Sequence, residues 1–337
     1  MDAAPRRIHL FRPHNQLGDL LLNVPAIRAI RERFRDAHVT LVVGRQNAAA
    51  VSGQPWADDV RIVETKNFAG VLSAALRRGR RPDLAVYFTT VSYSRSGALL
   101  VSWSGARERV GFDAAHYGAR DTARLTRIVP YPPSPAHPPD SESAPHQSEI
   151  SMALARAVGA VDRPPPPYYV PDRALVALAP DGAVYLHPGA GKLKNRWPAE
   201  RFAAVARELT SKGREVWILE GPQDAGTTEA VVGALGRQLP VVRGETIPQL
   251  AARFARAALY VGNDTGPLHL AGAVGAPTVG IYGWTDPREW SPVGRLVRAV
   301  RAPDARLESI DPGVVLDAAL QLLSMNKDGS EERCLTT

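Results

Sequence analysis

The run Tyr260-Val261-Gly262-Asn263-Asp264-Thr265-Gly266-Pro267-Leu268-His269-Leu270-Ala271 decides how this chain is read. The apolar approach from Ala258 to Val261 reads as a strand. It stops at small, turn-forming residues and passes at once into a helical pattern with Leu268, Ala271 and Gly272 on one side. Asp264 or Thr265 can serve as the N-cap, and Gly266 lets the backbone approach a ligand closely. Free backbone N–H groups and the helix dipole at such a start favour an anion such as a phosphate, and His269 falls near the same first turns. An ordinary strand-to-helix turn of an α/β domain would be written in the same letters, so the choice rests on the surrounding chain.

Working outward, strands and helices alternate on both sides of this segment. Towards the amino end, Val184–His187 reads as a strand, followed by a helix near Pro198–Ser211. The strand Glu215–Leu219, a helix near Ala225–Leu239, Val241-Val242 and a helix Ile247–Ala257 come next. Beyond the segment lie the strand Thr278–Tyr282 and a closing helix Pro312–Leu323, with a frayed tail expected after Asn326. The first half repeats the rhythm. Strands are expected at Ile8–Phe11, Val39–Val43, Arg61–Val63, Leu84–Phe88 and Arg109–Gly111. Helices are expected at Leu17–Phe34 (interrupted near Pro25), Asn67–Leu76 and Ser96–Ser104. Between the halves, twelve of the 29 prolines fall within residues 130–171, flanking a helix at Ser148–Val158. The earlier cluster, Pro130–Pro145, reads as a surface excursion, and Pro164-Pro165-Pro166-Pro167 as part of a stiff linker. The fold class expected is α/β, with two Rossmann-like, doubly wound domains and a cleft between them, where ligands bind at the carboxyl ends of strands. The boundaries expected are 1–162, a linker 163–173, a second domain 174–325 and a tail 326–337.

Composition narrows the function. No apolar run reaches the roughly 18 residues of a membrane span, and Arg6 and Arg7 precede only a short apolar stretch, so a cytoplasmic location is the default expectation. The single Cys334 excludes an intramolecular disulfide, and no metal site is expected. The net charge of +7 is unevenly placed: residues 1–160 hold 21 Lys/Arg against 14 Asp/Glu, and the remainder is balanced. That excess, with Arg77, Arg78, Arg80 and Arg81 prominent, suits an anionic partner of the first half, although a solvated basic face reads the same way. No nucleic-acid motif accompanies it, so nucleic acid is not an expected partner.

Three loops could carry chemistry. Arg12–Asp19 follows the first strand and ends in Gly18-Asp19, where the helix dipole favours the anionic form of Asp19. His187-Pro188-Gly189-Ala190-Gly191-Lys192-Leu193-Lys194-Asn195-Arg196-Trp197-Pro198 offers two glycines and three cations in one turn, which would suit a diphosphate. It has neither P-loop nor G-x-G-x-x-G spacing. The third is the opening segment.

Taken in order, Gln16-Leu17-Gly18-Asp19, Asn23-Val24-Pro25-Ala26, Pro188-Gly189-Ala190, Arg196-Trp197-Pro198-Ala199-Glu200-Arg201-Phe202, Gly262–Ala271 and Gly283-Trp284-Thr285-Asp286-Pro287 resemble glycosyltransferase family nine, which holds the ADP-heptose:lipopolysaccharide heptosyltransferases. The resemblance spans residues 8 to about 324. It implies the GT-B fold, with two Rossmann-like domains facing across a cleft, an acceptor-binding first domain and a nucleotide-sugar-binding second. It implies Asp19 as general base for the acceptor hydroxyl, and a donor seat that includes Gly18, Asp264, Thr265, Gly266 and His269. Where the family often carries Lys two places before the Trp, this chain has Asn195, leaving Lys194 or Arg196 for the diphosphate. Asp224, after the strand Glu215–Leu219, is the residue expected at the ribose. The activity implied is inverting transfer of heptose from ADP-heptose, a substrate rather than a cofactor, to an anionic glycolipid such as lipopolysaccharide inner core. Such an acceptor would draw the enzyme to the inner membrane surface, with Arg77, Arg78, Arg80 and Arg81 contacting it. Two alternatives stay open: the same fold with another nucleotide sugar or acceptor, for capsule or secondary metabolites, and a non-catalytic nucleotide-sugar-binding protein.

Overall fold

The computed structural model of the chain describes residues 4–64, 70, 81–132 and 145–334. It divides into two units, Met1–Pro165 and Pro166–Thr337. The expected helix Asn67–Leu76, apart from Gly70, lies outside the described residues, as do Arg77, Arg78 and Arg80 and most of Pro130–Pro145.

In the first unit the elements run β1 (Arg7–Arg12), α1 (Leu17–Arg33), β2 (His38–Gly44), α2 (Ala48–Val51), β3 (Asp59–Val63), β4 (Leu84–Tyr87), α3 (Arg95–Trp103), β5 (Glu108–Phe112), β6 (Arg127–Val129) and α4 (Gln147–Ala157). Six parallel strands stand in the order β3-β2-β1-β4-β5-β6. Near-continuous apolar runs in β2 and β4 are what a sheet covered on both faces requires, and Ile8 and Leu10 of β1 with Val39, Leu41, Ala85 and Val86 are fully buried. Helix α1 runs unbroken through Pro25, contrary to the interruption expected there. An interior proline costs about 3 kcal/mol; here Leu20, Leu21, Val24, Ile27 and Ile30 are all fully buried, and their combined burial outweighs it. Strand β6 escaped the sequence reading because it is a three-residue edge, Arg127-Ile128-Val129, with Ile128 half exposed.

Burial pushes His9 down to about 4, with the charges of Arg61, His38 and Arg7 adding to it. His14 is also pushed down to about 4, by burial and then by Arg12. An unfolded histidine titrates near 6.5, so between pH 6.5 and 4 the unfolded state binds protons that the folded one refuses. The stability these two histidines contribute is therefore complete above about 6.5 and is lost as pH falls towards 4, by up to about 1.4 kcal/mol per pH unit for each. Urea unfolding at pH 7 and pH 5 should show the loss, and His9→Gln should flatten it; an unchanged slope in that variant would refute the assignment.

The second unit contains α5 (Arg173–Leu178), β7 (Val184–His187), α6 (Ala199–Ser211), β8 (Val216–Glu220), α7 (Ala225–Leu235), β9 (Val241–Arg243), α8 (Ile247–Ala255), β10 (Leu259–Asn263), α9 (Gly266–Val274), β11 (Thr278–Tyr282), α10 (Pro287–Trp290), β12 (Val297–Arg301) and α11 (Pro312–Cys334). Its sheet is again parallel, in the order β12-β11-β10-β7-β8-β9. The core joins Val184, Leu186, Val261 and Ile281 of the strands to Phe202, Leu209 and Trp197 on one side and Val315, Ala319 and Leu322 of α11. Two expectations change here. The closing helix continues to Cys334 rather than fraying after Asn326. The end of the linker also belongs to the second unit: the Tyr168 and Tyr169 amides both donate to the Ala273 carbonyl, at 2.7 and 3.0 Å, and both rings are buried.

Candidate active site

In a doubly wound sheet the strand order reverses at one point, and the loops leaving the two strands there diverge to make a crevice. The first unit reverses between β1 and β4. The loop leaving β1 crosses the end of β2, where Gly44 makes room: a Cβ there would stand 2.2 Å from Asn15 Oδ1. The chain then enters α1, placing Gly18 and Asp19 in its first turn. Arg12, the last residue of β1, is 1 % exposed and donates from Nη2 to Asp19 Oδ2 at 3.0 Å. Burial pulls this guanidinium below its ordinary value, and the Asp19 charge works against that pull. The Asn23 side chain, one turn on, donates to the Asp19 carbonyl. Asp19 is thus held from its backbone and from one carboxylate oxygen while remaining partly open to solvent.

The second unit reverses between β7 and β10, so the basic loop and the opening segment leave adjacent strands. Asn263, fully buried, joins them. Its Nδ2 donates to the Pro188 carbonyl at 2.8 Å and the Gly189 carbonyl at 3.3 Å, and its Oδ1 accepts the Trp197 amide at 3.0 Å. Beneath the loop lies a buried polar chain. His187 Nε2 is 3.3 Å from Asp224 Oδ2, and its Nδ1 faces Tyr260 Oη at 3.1 Å and Thr265 Oγ1 at 3.2 Å. A carboxylate only accepts, so Nε2 carries the proton and Nδ1 accepts from a hydroxyl. The His187 hydrogen bond is the main cause holding the Asp224 carboxyl below its usual range; burial opposes it, and the Gly221 N–H and Arg196 add to it.

Arg196 is committed to this framework. Its Nε donates to the Ala190 carbonyl and its Nη1 to Thr227 Oγ1, both at 2.8 Å, while Nη2 reaches the Gln223 carbonyl and Asp224 Oδ1 at 3.3 Å. Lys192 and Lys194, by contrast, are exposed, and among the described residues neither has a carboxylate partner. Thr265, not Asp264, stands at the N-cap of α9, and its hydroxyl makes no bond to the helix's own amides. Asp264 instead lies 3.6 Å from His269 Nε2, and His269 is buried.

Beside this junction opens a hollow of about 390 Å³ lined by His187, Glu220, Gly221, Arg243, Leu250 and Pro267 among others. It lies at the carboxyl ends of β7, β8 and β9. Glu220 and Arg243, register partners across β8 and β9, form a forked pair with bonds of 2.7 and 3.2 Å on its wall.

The structure thus gathers Thr265, Gly266, Asp264 and His269 with the Lys194–Arg196 loop, all at one end of one sheet. Three further expected residues have these surroundings. Asp224, expected at a ribose, has its carboxylate bonded to His187, Arg196 and the Gly221 amide, while Glu220 lines the hollow. Of the two candidates for a diphosphate, Arg196 already has a protein acceptor on each nitrogen, whereas Lys194 has no carboxylate partner among the described residues. Arg81, expected at the acceptor, lies three residues before β4, at the amino end of its sheet, whereas Asp19 follows the carboxyl end of β1. Charge clustering in the sequence says nothing about which edge a cluster decorates. Arg12, His187 and Asn263 were not singled out beforehand; an Arg and an Asn closing strands just before candidate loops were the available signals.

Known proteins agree with this layout. Residues 136–311 match the description of glycosyltransferase family 9 (heptosyltransferase). Lipopolysaccharide heptosyltransferase 3 of Escherichia coli is 25% identical over 296 residues, covering 82% of this chain and 83% of that protein. Among solved structures, the family 9 glycosyl transferase of Veillonella parvula superposes with a TM-score of 0.81 at 19% identity, covering 95% of this chain and 97% of that one. The E. coli heptosyltransferase WaaC, solved with ADP, gives 0.77 at 16% identity, covering 94% and 99%. The two doubly wound units are those of the GT-B class. With more than half of its length matched to the family, the chain belongs to glycosyltransferase family 9 and is a glycosyltransferase.

Proposed function

We propose that this glycosyltransferase moves heptose from ADP-heptose to an anionic glycolipid, lipopolysaccharide inner core being the acceptor class, with inversion at the anomeric carbon. The observation that carries the donor side is the junction of the second unit, where a cationic loop, the start of α9 and a nucleotide-sized hollow adjoin. In this reading the hollow takes the nucleoside, with Glu220 at its ribose. The diphosphate lies against Thr265, the amides of the first turn of α9 from Gly266, and Lys194. Those groups stabilise the negative charge that grows on the departing diphosphate. Asp264 and His269 orient the helix start, and the Asp224–His187–Arg196 framework holds the loops in shape. Asp19 accepts the proton of the acceptor hydroxyl as its oxygen bonds to the anomeric carbon and the bond to the diphosphate breaks, releasing ADP. The name of the E. coli relative, a lipopolysaccharide heptosyltransferase, supports the choice of sugar and acceptor.

Turnover with ADP-heptose against a panel of truncated lipopolysaccharide acceptors tests the reading. ADP release that requires both substrates is expected. Activity with a UDP- or GDP-sugar and none with ADP-heptose would overturn the donor, and nucleotide binding without transfer to any acceptor would overturn catalysis.

The division of labour in the basic loop has its own test. Lys194→Met should raise the donor KM by roughly ten- to a hundredfold, the loss of one charge-assisted contact, and leave Tm unchanged. Arg196→Met should lower Tm by about 5 °C, because it unties Thr227, Asp224 and the Ala190 carbonyl together. The reverse pattern would show that the arginine is the phosphate ligand.

A further inference from the structure

Lys194 lies in a loop tip that has no apolar anchor of its own, since Leu193 beside it is 78% exposed. What holds the tip is Trp284, which follows β11 and remains 49% exposed. The Lys194 ammonium stands 3.9 Å from the centroid of the Trp284 ring, and that of Lys192 stands 6.0 Å away. The Trp284 indole N–H donates to Asn195 Oδ1 at 2.8 Å, fixing the ring against the same turn. Lysine is a flexible point charge on a four-carbon stem, so its location while waiting for a ligand has to be imposed by a partner. A carboxylate partner would neutralise the charge and compete with any incoming anion. An aromatic face attracts the ammonium and leaves its charge intact.

We propose that Trp284 is a positioning residue that presents Lys194 to the diphosphate of the donor. The inference rests on the reading of this junction as a donor seat. Asn195 is part of the device: it supplies the acceptor that locks the indole, and in doing so hands the role of phosphate cation to its neighbour Lys194. Trp284 therefore acts on affinity for the diphosphate through the lysine and needs no contact of its own with the ligand.

Calorimetric ADP titration and the donor KM measure the effect. Trp284→Ala should weaken ADP binding by roughly tenfold, and Trp284→Phe, which keeps an aromatic face but loses the N–H, by about two- to threefold. In a Lys194→Met background Trp284→Ala should add less than about a twofold change, because the residue it serves is gone. Asn195→Lys introduced into Trp284→Ala should recover most of the lost affinity by placing a second ammonium in the turn. Loss of affinity as large in the Lys194→Met background as in wild type would assign Trp284 to the ligand directly and overturn the proposal, as would an ADP affinity indifferent to Trp284→Ala. Should Trp284→Ala fold poorly, indole emission reads the same contact: an ADP-induced change is expected in wild type and not in Trp284→Phe, and emission indifferent to ADP in both would overturn the proposal. Failure of the wild-type protein to bind any nucleoside diphosphate would instead remove the donor-seat reading itself.

Discussion

Asp19→Asn should lower kcat by on the order of 10³ and leave ADP affinity within about twofold of wild type. Asparagine is the informative variant because Arg12 is buried and Asp19 is its carboxylate partner among the described residues. Removing that partner outright, as in Asp19→Ala, would strand a buried guanidinium at a cost of several kcal/mol. An amide oxygen still accepts from Arg12 Nη2 but takes no proton from an acceptor hydroxyl. A folded Asp19→Asn enzyme that binds ADP normally and turns over at less than a hundredth of the wild-type rate is the expected result. One that keeps more than a tenth of the rate would exclude Asp19 as the base.

The second large effect is expected at Gly189. A Cβ added there would lie 2.0 Å from both Asp224 Cγ and Asp224 Oδ2, a clash with a side chain pinned on three sides. Either Asp224 swings away, breaking its bonds to His187, Arg196 and the Gly221 amide, or the Pro188–Gly189 backbone shifts and loosens the Asn263 contacts. Both routes disturb a buried polar network, and we expect a loss of about 3 kcal/mol in stability of the second unit. ADP binding should fall at least about tenfold, since roughly 1.4 kcal/mol of misplacement suffices for that. Gly191→Ala, two residues on, is the control, because nothing lies within 4 Å of its would-be Cβ. Equal behaviour of the two variants would refute the account.

Much of this was readable in the residues because the sheets are parallel and doubly covered. Val184–His187 and Thr278–Tyr282 are unbroken apolar or near-apolar runs between turn residues, and both strands occupy those bounds. Strand β12 was missed for the opposite reason: Val297-Arg298-Ala299-Val300-Arg301 lies at the sheet edge, where one face is wet and arginines interrupt the run. Helix α5 was missed because it follows directly on a proline-rich linker, with Asp172 at its N-cap accepting from the Ala174 and Leu175 amides. Within the site, loop positions followed from sequence order, since each lies where a strand hands over to a helix. The duties of individual side chains did not. Lys194 and Arg196 are both cations two residues apart, and only three-dimensional neighbours show that one is tied into the loop framework and the other lies exposed over Trp284. The same holds for Asp224, whose inward turn depends on two glycines, Gly189 and Gly221, that leave it space.

Asn263 carries a further consequence for the timing of events in the second unit. The Trp197 amide that it accepts lies 66 residues earlier in the chain, and both partners are completely buried. The basic loop is thereby stitched to the central strand before any ligand arrives, so its ordering entropy belongs to folding and not to association. The Trp197 amide should accordingly exchange with solvent deuterium only through cooperative opening of the whole unit, with protection matching that of the β10 amides. The Lys192–Lys194 tip, which hangs outside that stitch, should exchange in the fast regime of a surface turn and slow when nucleotide is added.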